Sequence, residues 1–142
     1  MKIKSHLTWT LVNLSLAFLL LTVNAVAFSK NQSKVLKQFK LRMAKTDKGI
    51  EIHGLEGSAW SNLSFSLSDN QQQAVDEYGM TELDKSTGND PKLADFLFTI
   101  SESKNGVILK GIQGTAWKEL SFTLSRGQEQ TIDQLGMTEK LH

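Results

Sequence analysis

The sequence predicts an all-β domain made of two tandem repeats. Each would contribute three to four short antiparallel strands to a pseudo-two-fold sandwich or barrel. Three observations carry this reading: an internal duplication, apolar residues alternating with period two, and turn residues at the same places in both copies. Shifted by 57 residues, 36–82 aligns with 93–139 without a gap, and 19 of 47 positions are identical. The eleven residues Gly-Ser-Ala-Trp-Ser-Asn-Leu-Ser-Phe-Ser-Leu at 57–67 return as Gly-Thr-Ala-Trp-Lys-Glu-Leu-Ser-Phe-Thr-Leu at 114–124. A phrase repeated at a fixed interval marks a repeated structural unit.

Each copy opens on a strand. Phe39, Leu41 and Met43 alternate with Lys40 and Arg42, and Phe96, Phe98 and Ile100 alternate with Leu97, Thr99 and Ser101. Period two with one apolar face is the pattern of a half-buried strand. Asp47-Lys48-Gly49 and Lys104-Asn105-Gly106 follow, and Asn-Gly between apolar runs is a strong hairpin signal. The second strand holds Ile50 and Ile52 in one copy and Val107 and Leu109 in the other. Leu55 and Ile112 fall off the alternation just after Gly54 and Gly111, which predicts a β-bulge. A third strand places Leu63, Phe65 and Leu67 on one face.

The tail of each unit has two readings. Asp69-Asn70 and Arg126-Gly127 suit tight turns into a fourth strand. Ser68-x-x-Gln71 and Ser125-x-x-Gln128 have the form of capping boxes, and Gly79 and Gly136 suit helix ends, so one short helix per repeat stays open. The strand is preferred because it extends the sheet. One copy alone makes a marginal sheet. Two copies face to face would share a core of Phe39, Phe65, Phe96 and Phe122.

The chain starts with an address. Lys2 and Lys4 precede an apolar run from Leu7 to Val23, and Asn24-Ala-Val-Ala27 supplies the small-x-small site. This order predicts a signal peptide over 1–27, cut between Ala27 and Phe28, and export to the periplasm or cell exterior with no stable membrane insertion afterwards. The remaining 28–142 would be one domain: repeat 1 (36–82), connector 83–92 and repeat 2 (93–139). Without the two leader lysines, 14 basic residues stand against 15 acidic ones, so no strong net field favours nucleic acid or anionic lipid. There is no cysteine. A lipid-anchoring thiol, a Cys–His nucleophile and disulfide stapling are therefore excluded.

Candidate site residues are few. Trp60 and Trp117 are either core residues or a platform for a sugar or peptide; core packing is the simpler reading, and their equivalence predicts a like response to truncation. Asp76 and Asp133 would make a carboxylate pair across the two-fold, but each opens an Asp-x-x-Gly turn. Asp84, Ser86, Asp90 and Asp95 approach the spacing of a calcium loop, with glycine and the final acid out of place. His53 is matched by Lys110 and reads as an outward strand position. With His142 distant, no ordinary zinc site forms. No nucleotide-binding fingerprint occurs, and the sequence calls for no cofactor.

Two copies of Gly-x-Ala-Trp-x-x-Leu-Ser-Phe, each followed by Gln-x-(Val/Ile)-Asp-x-x-Gly-Met, resemble a duplicated motif of small exported Bacteroidota proteins. The resemblance covers about 47 residues of each copy. It implies export and repetition, and it carries no activity, cofactor or site residue. The sequence thus points to an exported non-enzymatic binding or structural module, with an envelope protein or glycan as partner. The alternatives are a small carboxylate-dependent hydrolase and a carbohydrate-binding module using Trp60 and Trp117.

Overall fold

A computed structural model of the chain describes residues 35–85 and 90–141. The expected leader, its cleavage point at Ala27 and Phe28, Ser86 and His142 lie outside the described residues. The chain divides into units Met1–Val35 and Leu36–His142, and every strand belongs to the second.

Ten strands alternate with turns: β1 (Lys40–Thr46), β2 (Gly49–Glu56), β3 (Asn62–Phe65), β4 (Gln73–Asp76), β5 (Gly79–Thr81), β6 (Leu97–Ser103), β7 (Gly106–Gln113), β8 (Glu119–Thr123), β9 (Glu129–Asp133) and β10 (Gly136–Leu141). There is no helix among the described residues. The strands form two open antiparallel sheets of five, in the orders β10-β9-β1-β2-β3 and β5-β4-β6-β7-β8. The architecture is a two-sheet sandwich, not a closed barrel.

Neither sheet belongs to one repeat. Each copy keeps its first three strands together and sends its last hairpin to the other sheet. There β9 pairs with β1, Leu41 opposite Ile132, and β4 pairs with β6, Phe98 opposite Val75. The copies are exchanged around a pseudo-two-fold axis. Phe39 and Phe96, equivalent residues, meet with ring centroids 4.4 Å apart.

The alternation read from the sequence sorts the core. Leu41, Met43, Ile50, Ile52, Phe98, Ile100, Val107 and Leu109 are fully buried with Phe39 and Phe96. Each such side chain contributes about 1.5–3 kcal/mol relative to exposure. Phe65 and Phe122 pack against this core only partly buried. They sit on β3 and β8, where one flank has no neighbouring strand among the described residues.

The bulges fall where the phase breaks. Lys40 pairs with Glu56 and Leu41 with Gly54, leaving Leu55 over; Leu97 pairs with Gln113 and Phe98 with Gly111, leaving Ile112 over. An extra residue in one strand has no partner and turns outward, and both side chains are about half exposed.

The tails resolve as strands. The Ser-x-x-Gln contacts are present: the Ser68 amide donates to Gln71 Oε1 at 3.1 Å, and the Ser125 amide to Gln128 Oε1 at 3.3 Å. They close a single turn. Asn70 (φ 65°) and Gly127 (φ 79°) are left-handed at the equivalent position, which stops a helical turn from propagating. The chain then extends into β4 or β9.

Candidate functional site

The repeated phrase is a clip between the sheets. In copy 1 the Ser58 hydroxyl donates to the Trp60 carbonyl at 2.8 Å, folding the β2–β3 loop tightly. A side chain at Gly54 would collide with this loop. The Ala59 amide then donates to the Glu77 carbonyl at 2.8 Å, and Trp60 Nε1 to the Asp76 carbonyl at 2.9 Å. Both acceptors lie on the hairpin that has crossed to the other sheet. Copy 2 repeats every contact. Thr115 bonds to the Trp117 carbonyl at 2.8 Å, Ala116 to the Gln134 carbonyl at 2.8 Å, and Trp117 Nε1 to the Asp133 carbonyl at 2.9 Å.

The two indoles are tethered alike but not buried alike. Trp117 is 8% exposed and packs 6.1 Å from the Phe98 ring. Trp60 is only partly buried. The residue equivalent to Phe98 is Leu41, so Trp60 has no ring in that place. The expectation of a like response is therefore corrected.

Asp76 and Asp133 serve their turns. Asp76 Oδ1 accepts from the amides of Tyr78 (2.8 Å) and Gly79 (3.0 Å); Asp133 Oδ1 accepts from those of Leu135 (2.8 Å) and Gly136 (3.0 Å). In each copy one carboxylate oxygen is thus taken up by two amides of its own turn. His53 lies 3.5 Å from Glu51 on β2. In the connector region Asp90 accepts from the Lys92 amide at 2.9 Å and Asp95 from Gln113 Nε2 at 2.6 Å. Among the described residues, no three His, Asp or Glu side chains are grouped as a metal site.

Glu77 was not legible as a special residue. It is 2% exposed, and its Oε2 has no hydrogen-bond partner among the described residues. Burial pushes its carboxyl above the usual range, and the nearby Asp76 and Asp95 carboxylates add to this; the amides of Glu77 and Phe96 oppose it.

A concavity lies elsewhere, on the outer face of the β5-β4-β6-β7-β8 sheet. It is an open groove of about 520 Å³. Thr81, Ala74 and Thr99 form its floor as one cross-strand row, Ala74 pairing with both neighbours. Gln72, Glu82, Leu83 and Lys85 also line it. The equivalent row of the other sheet carries a long charged side chain at one of its places. Arg42 stands where Thr99 stands, pairs in register with Thr131, and lies 3.5 Å from Glu129 across the outer face. Thr99 and Gln72 replace that ion pair with two neutral side chains, and Thr99 is much shorter than its counterpart.

No protein-family model, curated protein or solved structure matches this chain. Among the described residues, no helix is long and apolar enough to cross a membrane.

Proposed function

We propose that the protein is an exported, non-enzymatic binding module that holds a small neutral polar ligand in the Thr81–Ala74–Thr99 groove. The leader-like N-terminal sequence supports export. One observation carries the binding reading: the duplicated scaffold keeps its clips and core, yet the outer face carries the Arg42–Glu129 ion pair on one sheet and neutral Thr99 and Gln72, lining a groove, at the same places on the other. The groove has the size of a small-molecule site. Its hydroxyl and amide groups, flanked by Leu83 and Met80, suit a ligand carrying hydroxyls or amides, such as a saccharide. Trp60 and Trp117 fit this reading as scaffold, since both indole N–H groups are committed to backbone carbonyls. The hydrolase alternative is less well supported, because both aspartates are engaged in turns.

The test is an amide-resolved NMR titration with a panel of neutral mono- and oligosaccharides. Expected are saturable shifts at Gln73, Ala74, Thr81 and Thr99. The double variant Gln72→Glu/Thr99→Arg sets the other sheet's ion pair over the groove and should fold normally while losing them. Shifts centred on Trp60 and Trp117, or none from any member, would overturn the assignment.

A further inference from the structure

A second groove, of about 590 Å³, lies where the β8–β9 crossover passes the β6–β7 turn. Its walls carry Lys45, Lys104 and Arg126, together with Asn105, Thr123, Ser125 and Gln128. Lys45 and Arg126 are bridged directly by backbone pairing, so two cations are forced into proximity. The Leu124 amide bonds to the Asn105 carbonyl at 3.2 Å, which fixes the crossover against the turn bearing Lys104. Arg126 pairs with Asp47 at 2.8 Å, and both side chains of that pair are about three-quarters exposed. A pair so exposed to water is weak and easily exchanged for a better anion.

The repeat supplies the comparison. The positions equivalent to Lys45, Lys104 and Arg126 hold Glu102, Asp47 and Asp69, so all three charges are inverted. The scaffold between them is unchanged: Leu67, Ser68 and Gln71 match Leu124, Ser125 and Gln128. Only Lys48, equivalent to Asn105, runs against the inversion. A solvated surface needs no such one-sided sorting of charge on a duplicated loop.

We propose that this groove is an anion site, taking a ligand with more than one phosphate, sulfate or carboxylate group between Lys45, Lys104 and Arg126. Three cations spaced around a concavity match a polyvalent anion better than a single charge. Arg126 offers a planar two-donor fork, Lys104 a mobile point charge, and Ser125 and Thr123 neutral donors. The site is independent of the groove on the sheet face.

The probe is sodium tripolyphosphate, titrated into the full mature protein at low salt and followed by amide-resolved NMR. Shifts should concentrate at Lys45, Lys104–Asn105 and Thr123–Gln128, and affinity should fall as salt rises. Lys104→Asp and Lys45→Glu, which copy the other half, should each weaken binding by about tenfold or more, the effect of losing one charge-assisted contact. Asp47→Asn frees Arg126 and should tighten binding. Vesicles containing phosphatidylglycerol form a second arm. Co-sedimentation lost in Lys45→Glu would place the natural anion on a lipid, while its absence beside intact tripolyphosphate binding would place it on a soluble molecule. Shifts spread over all lysines, or affinity indifferent to Lys45→Glu and Lys104→Asp, would overturn the proposal.

Discussion

Glu77 and Gln134 occupy the same place in the two copies, one a carboxylate and the other an amide. Gln134 Oε1 accepts from the Phe39 amide at 3.2 Å, and Glu77 lies against the equivalent amide of Phe96. The fold thus contains its own isosteric comparison for a buried acid. Burial raises the folded-state pKa of Glu77 above its ordinary 4.5. A folded protein that binds this proton more tightly than the unfolded chain is favoured at low pH. The contribution is complete below the ordinary value and is lost as pH rises through the folded value.

Glu77→Gln should therefore raise stability at neutral pH, by an amount on the order of 1 kcal/mol, and flatten the acid side of the pH–stability curve. Urea unfolding at several pH values measures both. An unchanged curve would mean that the carboxyl is solvated in the folded state.

The indoles give the second prediction. Trp117→Ala removes a buried ring from contact with Phe98 and should cost about 3–5 kcal/mol. Trp60→Ala should cost less, because its ring is partly exposed. Native emission should be blue-shifted overall, and acrylamide should quench Trp60 more than Trp117. Equal costs and equal quenching would contradict the difference made by Phe98 and Leu41.

The third prediction separates turn chemistry from catalysis. Asn retains an acceptor oxygen, so Asp76→Asn and Asp133→Asn should leave the unfolding midpoint nearly unchanged. Asp76→Ala strands two amides and should cost about 1–3 kcal/mol. Turnover of any ester, glycoside or peptide substrate that vanished in the Asn variants would restore the hydrolase reading.

Much of this fold was legible because its signals are local. Alternation placed Leu41, Met43, Phe98 and Ile100 inside, and the phase break at Leu55 and Ile112 located the bulges. The exchange of hairpins was not legible. Val75 and Ile132 satisfy the same pattern whichever sheet receives them, and the crossing is decided by packing between copies. The capping-box pattern at Ser68 and Ser125, the argument for a short helix, delivers only the serine amide–glutamine contact, and the left-handed residue two places on ends the turn and sends the chain into a strand. Glu77 looked like a turn residue because nothing in its own neighbourhood announces that Phe96 and the crossed loop cover it. The groove was hidden for the opposite reason: Arg42 and Thr99 are both polar and both outward, and only the register shows that a long charged side chain on one sheet answers to a short neutral one on the other.

The exchange makes a last prediction about the copies as separate peptides, 36–85 and 91–141. Neither can complete a sheet with its own last hairpin, since β4 needs β6 and β9 needs β1. Each should be unfolded alone at low concentration. A pair of copy 1 peptides would bury two Glu77 carboxyls and set Asp69 beside Asp47, where the intact chain has Arg126. A pair of copy 2 peptides would carry two neutral, half-buried Gln134 amides but set Arg126 beside Lys104. Mixing restores the Asp47–Arg126 pair and leaves one buried acid, so the mixed pair should dominate at neutral pH. Lowering the pH should rescue copy 1 self-pairing selectively, because protonation removes the cost of its two buried carboxylates. Native mass spectrometry of the mixture across pH reads all three species. A folded monomer from either peptide would show that a copy can close on itself, and the clip from Trp60 to Asp76 would then have to form without the opposite sheet.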